Sequence, residues 1–206
     1  MIFSKNKPIF VIKNRQMTLE AVQVERRILS VADYHKMIEA NILGENDRVE
    51  LIYGQLINMS AVSSSHSGRV NRISSFFIRN LSPDEYVICV QNPITLADEN
   101  SEPEPDIVIA RFREDFYTKS HPSPADIHLL IEVSNTTLNY DRKVKTKLYA
   151  EANIAEYWII NTDKAEIEVY KYPKNNEYST FKKYKKGENL SFSLLKEKIE
   201  VNALLG

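Results

Sequence analysis

Two hydrophobic rhythms run along this chain, and their order predicts its elements. From Ser30, the segment SVADYHKMIEANIL repeats its apolar positions at helical spacing. It predicts a short amphipathic helix, N-capped by Ser30 and ending near Gly44. RVELIYGQLINMS holds two apolar-rich runs around Tyr53 and Gly54, the pattern of a hairpin. Val70, Ile73, Phe77 and Leu81 then recur every three or four residues, predicting a core-packed helix over 65–81.

Strand patterns dominate from there. EYVICVQNPITLAD reads as an alternating strand bent at Pro93. After the polar loop SEPEP, DIVIARF is almost continuously apolar, as in a sheet covered on both faces. DIHLLIEVS and EYWIIN repeat that pattern on either side of a helical segment, NYDRKVKTKLYAEAN. The stretch from Asp126 to Asn161 is long enough for a right-handed parallel crossover. IEVYKYP and EYSTFKKYKKG alternate like an outer hairpin, and the tail ENLSFSLLKEKIEVNALL gives a short strand and a terminal helical turn. This order predicts an α/β or α+β fold with a mixed sheet flanked by helices, a single domain over residues 1–206. Residues 1–17, whose apolar patches are broken by lysines and Pro8, are expected to form an N-terminal arm or edge strand.

Composition narrows the setting. Hydrophobic residues are 43% and charged residues 27% of the 206, with a net charge of −1. There is no global basic field, so a nucleic-acid partner would need a local patch. The one cysteine, Cys89, cannot form an internal disulfide and fits a small core residue in a reducing cytoplasm. The first residues lack the apolar core of a signal peptide, no apolar run is long enough to span a membrane, and no Gly-rich phosphate loop occurs.

The chemistry concentrates between Pro105 and Tyr149. Asp106 opens one apolar strand and Glu132 interrupts another. An ionised carboxylate in such a place costs several kcal/mol unless a partner offsets it. Two carboxylates at strand ends, with the backbone carbonyl of Val133, form a ligand set of the kind Mg2+ accepts. Asp141, Lys145 and Tyr149 lie at i, i+4 and i+8 on one helical stripe, so Asp141 is expected to pair with Lys145, while Lys143 and Lys147 point to solvent. Each residue also has a plainer reading. Asp106 could mark a turn, Glu132 could pair with a lysine, Lys145 could be solvated, and Tyr149 and Trp158 fit the core. The lysines and aromatics of KYPKNNEYSTFKKYKKGE could track a phosphate backbone or simply guard a sheet edge, and edge protection is the favoured reading.

SEPEPDIVIA, LLIEVSNTT and YDRKVKTKLYAEANIAEYWIIN together resemble the Uma-type family of restriction-endonuclease-like proteins, within the PD-(D/E)XK nuclease superfamily. The resemblance covers nearly the whole chain and implies a restriction-endonuclease-like core with its active site at one end of a mixed sheet. It assigns Asp106 to the aspartate of the PD element and Glu132 to the acidic residue of the next core strand. The usual superfamily lysine position holds Ser134, and Lys145 on the following helix matches the lysine of the Uma-type pattern. Glu50 matches an acidic position that related nucleases use as an extra metal or water ligand; otherwise it would pair with Arg48 or Lys145. His66 matches a recurring position, as a phosphate contact or a helix cap.

Residues and resemblance together lead to one expectation: an Mg2+-dependent endonuclease, with Mn2+ as a substitute, that hydrolyses phosphodiester bonds in DNA. Asp106, Glu132, Lys145 and Glu50 are the catalytic candidates, with Asp106, Glu132 and Val133 holding metal and His66, Gln91 and Asp141 contacting substrate. A cytoplasmic homodimer is expected. The alternative is a non-catalytic or partner-dependent nucleic-acid-binding or assembly protein on a nuclease fold.

Overall fold

The computed structural model describes residues 26–44 and 46–206, and the expected N-terminal arm at 1–17 lies outside them. Helix α1 (Val31–Glu39) starts with a reciprocal capping box. Ser30 Oγ accepts from the Asp33 amide at 3.1 Å, and the Asp33 carboxylate accepts from the Ser30 amide. The helix ends before Gly44, because Asn41 turns to φ 53° and the next two amides fold back onto the Met37 carbonyl. Strands β1 (Val49–Ile52) and β2 (Gln55–Asn58) form the predicted hairpin. Tyr53 and Gly54 both take positive φ at its turn, and a Cβ on Gly54 would come within 2.7 Å of the Leu29 carbonyl oxygen. Helix α2 (Ser64–Asn80) is capped by Ser63 and buries Val70, Ile73 and Phe77, the predicted stripe.

Six strands form the central sheet, in the order β3-β4-β5-β6-β7-β8. They are β3 (Tyr86–Val90), β4 (Ile107–Arg111), β5 (Ile127–Ser134), β6 (Glu156–Asn161), β7 (Glu166–Lys174) and β8 (Glu177–Lys185). β5 and β6 pair in parallel and every other neighbouring pair is antiparallel, which makes the sheet mixed. The parallel crossover carries helix α3 (Leu138–Tyr140), a π-helical turn over Asp141–Lys145, and helix α4 (Thr146–Glu151). A short pair, β9 (Asn189–Leu190) with β10 (Ile199–Glu200), and helix α5 (Val201–Leu205) close the chain.

Strand alternation divides the apolar side chains between two cores. Ile107, Ile109, Leu129, Ile131 and Val133 face α2 and α5, with Trp158 and Phe77 among them. Val108, Ala110 and Leu130 face the other way, onto Leu148 and Tyr149 of α4 and onto Ile52 of the hairpin. Two expectations are corrected here. The strand at 86 does not continue through Pro93: Gln91 takes φ 51° and stops it, and Ile94 and Leu96 leave the sheet to enter the second core. Cys89 lies half-buried on β3, at the edge of the sheet, and is not enclosed.

Candidate functional site

Antiparallel register brings the two strand carboxylates together. Ile107 pairs with Ile131 and Val108 with Leu130, so one further step along the same register sets Asp106 beside Glu132. Both side chains belong to the face covered by α4, because residues two apart share a face. Backbone amides lock the pair. The Asp106 amide donates to Glu132 Oε2 at 3.3 Å, and the Val133 amide donates to Asp106 Oδ2 at 2.8 Å. On the other oxygen of Asp106, His66 Nε2 lies 2.8 Å away and the Gln91 amide donates at 3.3 Å. The hydrogen bond to Asp106 raises the His66 pKa against the opposing effect of burial, and the backbone of Val133 raises it further.

Lys145 is buried between two carboxylates, 2.6 Å from Glu50 Oε2 and 3.5 Å from Glu132 Oε1. Burial disfavours the ammonium, but Glu132 and Glu50 outweigh it and raise the lysine's pKa. Glu132 shows the reverse balance. Burial pushes its pKa well up, Lys145 opposes this, and Asp106 and Asp141 add to it.

The π-turn delivers this lysine. The amide of Thr146 and its hydroxyl both donate to the Asp141 carbonyl, closing an i to i+5 ring. The extra residue changes the stripe expected from ideal helix geometry. Asp141 does not pair with Lys145; its carboxylate accepts from Ser134 Oγ at 2.6 Å. Ser134, which stands at the superfamily's usual lysine position, is fully buried and supports the helix from below. Lys143 and Lys147 are exposed, as their helical positions predict.

These groups line a cleft of about 590 Å3. Asp106, Glu132, Lys145, Glu50, Val133, His66, Gln91 and Asp141 all border it, so every candidate from the sequence meets at one place. Two contributors were not singled out by sequence: Tyr140, whose hydroxyl donates to Glu50 Oε1 at 3.4 Å, and Glu104, whose amide donates to Glu50 Oε2 at 3.3 Å; Tyr149, which is core as expected, also donates to Glu132 Oε1 at 3.1 Å. Tyr140 stands five residues before Lys145, a spacing that becomes meaningful only with the π-turn. Five carboxylates line the cleft, from Glu50, Glu104, Asp106, Glu132 and Asp141. Among the described residues, the permanent cations there are Arg48 and Lys145. Such a surplus of negative charge favours a bound cation and repels a bare phosphodiester. Among the described residues, no three His, Cys, Asp or Glu side chains form a ready metal cluster. A metal here would rest on two carboxylates, a carbonyl and water.

A family model, "Uma2: Putative restriction endonuclease", matches residues 31–203. A protein of Anabaena variabilis ATCC 29413, whose crystal structure is described as that of "a putative nuclease belonging to DUF820", shares the fold at a TM-score of 0.66 and 14% identity, covering 86% of this chain and 97% of its own. No curated protein matches the sequence.

Proposed function

This chain belongs to the Uma2 family of restriction-endonuclease-like nucleases, and from that premise we propose that the cleft hydrolyses phosphodiester bonds in DNA with the aid of a divalent cation. The observation that carries this reading is the pairing of Asp106 and Glu132 at the base of an over-acidic cleft, with Lys145 beside them. The donor chemistry fits Mg2+, which takes one or two carboxylates with a carbonyl and several waters. Asp106, Glu132 and the Val133 carbonyl would hold it, and Mn2+ accepts the same oxygen donors. The bound ion supplies charge neutralisation at the phosphate and a more acidic water.

The protein's own groups do the rest. His66, Gln91 and the Val133 amide fix Asp106 in one rotamer. Tyr149 and the Asp106 amide do the same for Glu132. Lys145, kept charged by its two carboxylates, stabilises negative charge on the phosphate oxygens and orients the attacking water; its raised pKa favours this electrostatic role over that of a base. His66, Gln91 and Asp141 border the cleft and would contact a bound substrate there. A homodimer is supported by the edge at β3, which no further strand among the described residues pairs and whose YVICV carries neither lysine nor proline. A cytoplasmic setting is supported by the lone cysteine, and no helix among the described residues is long and apolar enough to cross a membrane.

Plasmid cleavage with Mg2+ or Mn2+, comparing the protein with Asp106→Ala and Lys145→Ala, tests the reading. Metal-dependent cutting lost in both variants is the expected result. Equal cutting by all three would expose a contaminant. Salt-sensitive DNA binding without cutting would favour the non-catalytic alternative.

A further inference from the structure

We infer that Glu50 is the positioning residue for Lys145 and not a metal ligand, with Tyr140 completing the bracket; this rests on the endonuclease reading above. Glu50 stands on β1, in the small two-stranded sheet, whereas Asp106 and Glu132 belong to the central sheet. Asp106 and Glu132 are tied to each other by backbone amides. Among the described residues, Glu50 has no hydrogen bond to Asp106, Glu132 or Val133; Lys145 is what connects it to Glu132.

The oxygens of Glu50 are already engaged. Oε2 accepts from Lys145 at 2.6 Å and from the Glu104 amide, and Oε1 accepts from Tyr140. Asp106 and Glu132 accept hydrogen bonds too, so what sets Glu50 apart is the identity of its partner. Its shortest contact is the Lys145 ammonium, whereas Asp106 accepts from His66, Gln91 and the Val133 amide and, among the described residues, from no lysine. Lys145 also lies closer to Glu50 than to Glu132, at 2.6 against 3.5 Å. It holds this position when Glu132 turns to a cation, because Glu50 alone keeps it paired.

The need for such a bracket follows from where the lysine starts. A strand residue two places after Glu132 would have its head group aimed by the sheet, but that place is Ser134. Lys145 reaches in from a π-turn on four rotatable bonds, and an unheld lysine would lose the orientation on which rate depends. Tyr140, at the end of α3, sets the rotamer of Glu50 from the same side of the cleft as the turn.

The test is a four-chain cycle of wild type, Glu50→Gln, Lys145→Met and the double variant, each titrated with Mn2+ and assayed for single-turnover cleavage of a DNA oligonucleotide. With Asp106→Asn as reference, Mn2+ affinity should fall about a hundredfold or more for the reference and less than about tenfold for Glu50→Gln. At saturating Mn2+ the Glu50→Gln rate should still fall by about 30–100-fold. In the Lys145→Met background, Glu50→Gln should leave Mn2+ affinity within about twofold, because its effect runs through the lysine. If Glu50→Gln does not fold, Tyr140→Phe replaces it, with a rate lowered by about three- to fivefold and an unchanged Mn2+ affinity. Mn2+ affinity lost with Glu50→Gln to the same degree as with Asp106→Asn, in both backgrounds, would overturn the assignment alone. So would an unchanged rate. A wild-type chain that neither binds Mn2+ nor cleaves would remove the endonuclease reading, and the assignment with it.

Discussion

Two clusters of buried carboxylates in this protein are treated differently. On β6 and β7, Glu156 pairs with Lys171 at 2.8 Å, Glu166 with Lys183 at 3.1 Å, and Glu168 with both Lys183 at 2.9 Å and Arg142. Three acids there meet three cations. In the cleft, Glu50, Glu104, Asp106, Glu132 and Asp141 face two permanent cations among the described residues, Arg48 and Lys145; Lys145 meets Glu50 and Glu132, and His66 meets Asp106. The contrast is sharpest between Glu168 and Glu132. Burial disfavours the charge on Glu168, yet hydrogen bonds from Arg142, Lys183 and Tyr170 carry its pKa down to about 2. Burial of Glu132 wins, and its pKa rises. A buried carboxylate is therefore no sign of a site by itself; a carboxylate left short of cations is, because the deficit remains for a ligand to fill.

The largest effect should come from removing one charge on the deficient side. Glu132→Gln keeps the shape and an acceptor for Tyr149 but removes an oxygen proposed to hold the metal. Single-turnover cleavage should fall at least about a thousandfold. The same variant should melt no lower than wild type in metal-free buffer, because the charged form of Glu132 is the costly one. A lower melting temperature together with full activity would reverse the roles given to the two regions.

The matching change on the balanced side should do the opposite. Glu168→Gln leaves Arg142 and Lys183 facing a neutral amide in a fully buried position. It should cost about 3 kcal/mol of stability in denaturant unfolding, while the folded fraction keeps its cleavage rate. A loss under about 0.5 kcal/mol would mean that the paired cluster is no better neutralised than the cleft.

Sequence made the strands and the cleft carboxylates legible for one reason. Asp106 and Glu132 interrupt apolar runs, and a charge in such a run demands an explanation within the run itself. Glu168 interrupts IEVYKYP in the same way and was passed over, because its explanation lies at Arg142 and Lys183, which reach it only through helix placement and strand register. The lysines of the C-terminal hairpin were weighed as a phosphate-tracking surface. In the fold Lys171, on the internal strand β7, and Lys183 turn to buried glutamates, a structural role that neither reading of the hairpin named. The Asp141–Lys145 pair failed because it assumed 3.6 residues per turn. A π-turn inserts one residue, and nothing local in DRKVK announces it; its closure depends on Thr146 bonding back to Asp141, while Ser134 and Glu50 hold its two ends. Gln91 falls within the alternating segment EYVICVQNPITLAD and so reads as strand; in the fold it takes φ 51°, stops the strand and donates to Asp106, a turn that alternation does not announce.

Acid should separate the two regions next. The folded pKa of Glu168, about 2, lies below its ordinary value of 4.5, so its contribution is complete above that ordinary value and is lost as pH falls toward 2. Wild type should lose about 1–2 kcal/mol more than Glu168→Gln between pH 6 and pH 3, read from urea unfolding across that range. Parallel pH profiles for the two chains would show that Arg142 and Lys183 do not hold Glu168 ionised.

The smallest effect should mark the boundary between site and core. Tyr149 and Tyr157 are both fully buried and meet edge to face, with ring centroids 4.9 Å apart. Their hydroxyls differ. Tyr149 donates to Glu132, while the Tyr157 hydroxyl has no hydrogen-bond partner among the described residues. Tyr149→Phe should therefore cost about 1 kcal/mol and slow cleavage by a few fold, because Glu132 loses one of its donors. Tyr157→Phe removes a polar atom that gains nothing from burial, so stability should stay within about 0.5 kcal/mol of wild type or rise. Equal losses in the two variants would show that the Tyr149 hydroxyl packs like its neighbour's and does not position Glu132. A loss confined to Tyr149→Phe would extend the cleft's polar network one layer into the second core, where the side chains of α4 both fill the interior and hold the carboxylate that the cleft depends on.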